Sequence, residues 1–383
     1  MQISFREYNP RERSYYFKWM AEKCTYVDKT SQKEKQVRKT SKKKVECQVS
    51  DIIADFKQSI IPFLKHKGRS LHQYKQLKEL KENLRITEAV IHMDFSENYN
   101  MKYAEEIQAF HFGGSRKQIS LHTVVVYTKQ DEVQQQCFCT LSESLLHNVP
   151  AIWAHLDPII KCITNSYPTV DTLHFISDSP STQYRNKTMF YFLAIELPKL
   201  HPKVKNFTWN YLEAGHGKGA PDGIGGVTKR TLDRLVGQGA DMVEIKAMLN
   251  NLCQNIQNIT YYQIDADKIN EMSQKLKNVL LQTFRGTMKV HQIKKEDYES
   301  SIRLNFYELS TFINGNKKYF IGSLEFNKIG LNDELSSSDT SSDDEDTPLS
   351  RYISGSIKVQ NKLQFEDVYS DEDEEAACSS VKR

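Results

Sequence analysis

The sequence predicts an α/β protein, a mixed sheet flanked by helices, with a helical N-terminal arm and a disordered acidic C-terminal tail. Three observations carry this. From residue 89 the apolar residues fall in short β-like runs instead of helical stripes. After residue 150 such runs alternate with helical stretches, as sheet crossovers require. Two of the runs end directly on an aspartate, Asp94 and Asp178, at the kind of strand end where α/β proteins place their sites.

Residues 1–49 form a basic arm. Within it, residues 29–44 hold eight Lys or Arg, one Glu and one aliphatic side chain, Val37, which predicts a solvated, mobile stretch. Such a run reads as a charged linker, or as a nuclear-import signal or phosphate-backbone contact. A helical lead-in, 50–88, follows. Ile53, Phe56, Ile60 and Phe63 recur at helical spacing behind Ser50 and Asp51, and Pro62 limits the regularity of that helix's end. A second helix begins after Gly68, with Leu71, Tyr74, Leu77 and Leu84 on one face.

The core is expected over 89–240. Ala89-Val-Ile-His-Met-Asp94 reads as a buried strand, and Ile107–Phe112, Leu121–Tyr127 and Cys137–Thr140 supply two or three more in a meander. Residues 150–167 read as a helix that Pro158 should kink or divide. Thr172–Ser177 is a strand, Gln183–Leu200 a helix and Phe207–Leu212 the last strand. After a Gly-rich segment another helix begins over Val227–Leu235. The order β-β-β-α-β-α-β-α, a meander followed by crossovers, is the order of RNase H-like folds. An extension, 241–330, is helical to about residue 292, ends in an extended Gly286–His291, and closes with a small β unit.

Composition bounds the function. The 383 residues carry 52 Lys+Arg against 49 Asp+Glu, but residues 331–383 hold 14 acids and 5 bases, leaving the body at net +12. This Ser/Asp/Glu-rich tail has too few apolar residues to fold. Its serines suit acid-directed phosphorylation, and its charge can solubilise the chain, bind a protein partner or lie against the basic body. No apolar run approaches a membrane span, and the polar start is unlike a signal peptide. The seven cysteines are scattered without C-x-x-C pairs and predict reduced thiols, Cys137 and Cys139 sharing one strand face.

Three segments concentrate polar chemistry: Asp94-Phe-Ser-Glu-Asn-Tyr99, Ser177-Asp178 through Gln183-Tyr184-Arg185, and Glu213 through Arg230. A strand-end acid alone is ordinarily a turn or a helix cap. Two on neighbouring strands point to a divalent cation between them, because buried carboxylates need neutralising. The third segment holds eight of the sixteen glycines within 215–239. It is not a phosphate-binding P-loop, since Lys218 is followed by Gly219 and Leu212 stands where the first glycine belongs. It leaves His216 and Lys218 on a Gly-rich turn, with Asp222 entering a helix that carries Lys229 and Arg230; Asp222 also suits an N-cap.

M-D-F-S-E-N-Y, S-D-x-x-x-x-Q-Y-R and H-G-K-G-A-P-D-G-x-G-G-x-x-K-R together resemble the core of transposon-derived proteins related to DDE/D cut-and-paste transposases. The resemblance spans about residues 50–292. It implies an RNase H-like catalytic core, DNA as substrate, a nuclear location and action as a homo-oligomer. It implies two Mg²⁺ or Mn²⁺ ions held by Asp94, Asp178 and a third acid, Asp222 with Glu213 as its rival. His216 and Lys218 are then expected near the scissile phosphate, and Arg185, Lys229 and Arg230 on the DNA backbone. Only about 50 residues precede the resemblance, without zinc-finger spacing. The expectation is therefore a truncated or domesticated copy, either still cleaving DNA or reduced to binding DNA or chromatin.

Overall fold

The computed structural model describes residues 7–27, 34–105, 116–217, 219–279, 281, 283–312 and 318–328. The expected strand at 107–112, Lys218 and the acidic tail lie outside the described residues. The chain divides into two compact units between Gly68 and Arg69.

In the first unit, β1 (Arg13–Val27) pairs antiparallel with β2 (Glu34–Gln48), from Arg13 opposite Gln48 to Val27 opposite Glu34. Residues 34–44 are therefore strand: the expected mobile arm is corrected there, while the run stays exposed to solvent as expected. The lysine-rich run has only Val37 as an apolar residue of its own, but Tyr-Tyr-Phe-Lys-Trp in β1 gives it a β-favouring partner and satisfies its backbone hydrogen bonds. Helix α1 spans Val49–Glu82 unbroken, although two helices are expected there. Gly68 keeps an ordinary φ and forms no left-handed cap.

In the second unit, α1 buries Ser70, Gln73, Leu77 and Leu80, while Leu71 and Tyr74 are exposed, so the expected stripe is displaced. Polar Gln73 belongs to it because its amide is satisfied: Nε2 donates to the Tyr211 carbonyl and to Ser310 Oγ, and Oε1 accepts from the Ser310 N–H.

Nine strands form one mixed sheet. The meander is β3 (Glu88–Asn100), β4 (Gln118–Lys129) and β5 (Val133–Ser142). Beside β3 lies parallel β6 (Thr172–Ser177), then parallel β7 (Asn206–Tyr211). One edge adds β8 (Ile259–Gln263), parallel to β5. The other adds antiparallel β9 (Gln292–Asp297), β10 (Ser301–Tyr307) and β11 (Phe320–Asn327). The order is β11-β10-β9-β7-β6-β3-β4-β5-β8. The expected C-terminal extension thus completes the sheet at both edges. Ile259–Gln263 is a strand within the stretch expected to be helical, and Thr287–Lys289 is a 3₁₀ turn instead of extended chain.

Helices cover both faces. Helix α2 (Val149–Ser166) runs through Pro158 without a break, buried on most sides, and its packing holds the turn that the proline leaves one hydrogen bond short. Then come α3 (Lys187–Tyr191), a π turn at Phe192–Glu196 and α4 (Leu197–Leu200). Helix α5 (Ala220–Gly237) starts earlier than expected, taking the second half of the Gly-rich segment into its first turns; α6 (Ile245–Asn255) and α7 (Ala266–Gln274) follow. Strand alternation divides the core. Ala89, Ile91 and Met93 pack with α2 on one face, while Val125, Cys139 and Leu141 meet α5 and α6 on the other. The cysteines within the described residues are free thiols. No helix among them is long and apolar enough to cross a membrane.

Candidate acidic site at the ends of the parallel strands

Register brings the first two acids together. In the parallel β3–β6 pair His92 stands opposite Ile176, and the same offset carried two residues further sets Asp94 level with Asp178, just past the end of β6. Registered residues of parallel neighbours point to the same side. His92, Asp94 and Ser96 alternate along β3, so they share a face, and the third motif folds over it.

The glycines make that approach possible. A Cβ at Gly217 would lie 2.8 Å from the Asp178 Cβ, one at Gly219 2.9 Å from His92 Cε1, and one at Gly225 2.6 Å from Ser96 Oγ. The Gly-rich segment is thus pressed onto Asp178 and onto His92 and Ser96, which flank Asp94 on its face of β3, and side chains there would push it away. Asp222 sits in the first turn of α5, and its Oδ2 accepts from the Gly219 N–H at 2.7 Å. Asp222 is therefore not the N-cap the sequence allowed, which is Gly219, but the third helical residue reaching back to the cap N–H, and its charge still acts on Asp94.

The electrostatics follow from this approach. Burial, then the negative charges of Asp222 and Asp178, push the half-buried Asp94 carboxyl up to about 7. No Lys, Arg or His among the described residues forms an ion pair with any of the three aspartates. As the chain stands, no three His, Cys, Asp or Glu among the described residues are spaced to hold a metal ion. The aspartates line a shared acidic face without forming a closed cage.

The remaining expected residues separate. Glu213 is buried and committed: Arg69 donates to both its oxygens at 3.2 and 3.0 Å, and His291 Nε2 lies 2.7 Å from Oε2. His291 itself is held below its usual range by burial, against the opposing pull of Glu213. Arg185 is corrected as a DNA-backbone contact. It is buried, donates to the Val290 carbonyl and lies over the Tyr211 ring, because the Gln-Tyr-Arg segment turns inward after Asp178. His216 is half-buried on the turn, its carbonyl accepting from the Tyr74 hydroxyl. Lys229 Nζ donates to the Glu97 carbonyl at 3.3 Å, and Arg230 is exposed on α5.

Two residues near the acids went unnoticed in the sequence. His92 is buried with no partner for Nδ1, and burial, then the charge of Lys81, pushes it down to about 3. Its spacing of two from Asp94 on a strand was the available signal. Tyr184 is fully buried, and burial together with Asp94 and Asp178 raises its hydroxyl far above the usual value. The same oxygen lies 3.2 Å from His122 Nε2, which links the acids to a histidine cluster around Phe95 formed by His122, His147 and His155.

Fold and site together define a mixed α/β protein with Asp94 within β3, Asp178 just past β6 and Asp222 in the first turn of α5, none with an ion-pair partner among the described residues. A family model described as a domain of unknown function, DUF8701, matches residues 73–307, and the chain belongs to that family. No curated protein and no solved structure matches it.

Proposed function

We propose that this chain is a transposase-like phosphoryl-transfer enzyme that cleaves or joins DNA strands on an RNase H-like core. The strand order β5-β4-β3-β6-β7, three antiparallel and then two parallel strands with helices between, supports the fold assignment. The observation that carries the reaction is the approach of Asp178 and Asp222 to Asp94 with no ion-pair partner for any of the three among the described residues. Such a set, oxygen-only and mutually repelling, fits Mg²⁺ or Mn²⁺ in its chemistry. Asp94 and Asp178 are the ligands this reading names first, with Asp222 third. Bound there, divalent ions supply activation of water or a 3′-hydroxyl and stabilisation of the leaving oxygen. The chain's own part is to hold the acids on rigid strand ends, to exclude competing cations by committing Arg69 and His291 to Glu213, and to offer Lys229 and Arg230 to the DNA backbone.

The alternative reading is a transposase-derived protein that binds DNA or chromatin without cutting it. Plasmid nicking by the full chain in Mn²⁺, beside Asp94→Asn and Asp178→Asn, separates the two. Nicking that falls to background in both variants, with Mn²⁺ binding lost by calorimetry, is the expected result. Undiminished nicking by either variant refutes the assignment. No Mn²⁺ binding by the native chain, with or without DNA, selects the non-catalytic reading.

A further inference from the structure

We propose that the outward face of the β1–β2 hairpin is a binding ribbon for single-stranded nucleic acid, in which Tyr15, Phe17 and Trp19 stack on bases and Lys42 and Lys44 hold phosphates. Alternation along β1 puts the three aromatic residues on one face, and the register sets Lys44 opposite Phe17 and Lys42 opposite Trp19. The other face of β1 is occupied within the same unit: Tyr16 Oη donates to Asp55 Oδ2 at 2.8 Å, and Lys18 Nζ binds both Asp55 oxygens. Tyr15, Phe17 and Trp19 instead stand 55%, 57% and 69% exposed.

Three large rings kept in water mark a surface built for a partner. Its chemistry follows from what surrounds them. Lys44 Nζ lies 4.3 Å from the Tyr15 centroid and Lys42 Nζ 4.7 Å from that of Phe17, so cations interleave with the rings instead of fencing them. Lys23 opposite Arg38 continues the basic face; of its two acids, Glu46 is paired with Lys44 at 2.6 Å and Glu34 stands at the far end opposite Val27. A partner must therefore offer flat π surfaces and negative charge by turns. The rings repeat about every 7 Å along the strand, a spacing an unstacked single strand can follow. A duplex keeps its base faces inside the stack, and an acidic peptide has none. The proposal needs neither metal nor cleavage, so it stands whichever reading of the acidic site holds.

Tryptophan emission tests it on the full chain, because Trp19 is exposed while Trp153 and Trp209 are fully buried. Titration with oligo-dT is expected to quench emission saturably, and Trp19→Phe to abolish that change. Phe17→Ala with Trp19→Ala should weaken binding of a labelled oligo-dT about tenfold or more. Lys42→Gln should weaken it further at low salt and flatten its salt dependence. The proposal is overturned if oligo-dT binds without altering Trp19 emission, or if it fails to bind. Equal affinity for a duplex, or equal quenching by heparin or anionic phospholipid vesicles, overturns it as well, since none of these offers free base faces.

Discussion

Two carboxylates of the central sheet, Glu213 just after β7 and Asp94 within β3, have opposite surroundings. Glu213 is matched by the Arg69 guanidinium and the His291 ring, all of its acceptor capacity turned toward donors. Asp94 faces Asp178 and Asp222 and is left without an ion-pair partner among the described residues. Folding alone rewards the first arrangement and penalises the second. The cation site proposed above rests on that contrast, which distinguishes the two acids more sharply than burial does.

The largest effect is expected where the neutralised acid is removed. Glu213→Ala leaves Arg69 facing a hole where its partner stood and frees His291, and stability should fall by about 3 kcal/mol. Thermal unfolding in a metal-free buffer measures it. If this variant melts like the native chain but no longer binds Mn²⁺, the contrast breaks, and Glu213 is the third ligand in place of Asp222.

Removing the other acid should act in the opposite sense. The Asp94 carboxyl titrates at about 7 in the folded chain and near the ordinary aspartate value of 3.8 when unfolded, so the unfolded state gives up its proton first. Native stability therefore falls as pH rises from about 4 through 7, and the full penalty stands above 7. Asp94→Asn removes that penalty. In EDTA it should stabilise the chain at pH 8 and leave its stability unchanged at pH 4. Mn²⁺ should raise the melting temperature of the native chain and leave that of the variant unmoved. A variant less stable than the native chain at pH 8 would mean that the aspartate contributes to the fold as Glu213 does.

Part of this contrast was legible in the sequence. The run ending at Asp178 showed which acid follows β6, because an apolar β run followed by an acid is a local pattern; the same pattern misplaced Asp94, since β3 runs on to Asn100 and leaves it in mid-strand. The order of meander and crossovers was legible for the same reason. What could not be read was pairing across distance. Nothing near Glu213 announces Arg69, 144 residues earlier, or His291, 78 residues later. Nor did Arg185 show that it turns inward while Arg230 stays exposed, since both sit in basic, polar surroundings along the chain. The lysines of β2 were misread because strand formation there depends on β1, and a stretch judged by its own composition carries no sign of its partner.

The smallest effect on stability should fall on Gly217, and it tests whether position, beyond charge, sets the acidic face apart. Its φ is not in the left-handed region, so alanine there strains no backbone. The new Cβ would lie 2.8 Å from the Asp178 Cβ and Cγ, so either the loop or the aspartate must shift. Loop displacement at an exposed turn should cost about 1 kcal/mol. Mn²⁺ affinity should fall more than stability does, because cation binding depends on where Asp178 points, whereas the core depends on β6 behind it. Calorimetry beside thermal unfolding reads the two separately. Gly217→Ala with native Mn²⁺ affinity would show that the glycine-rich loop leaves Asp178 free, and the close approach of the third motif would then serve the packing of α5 alone.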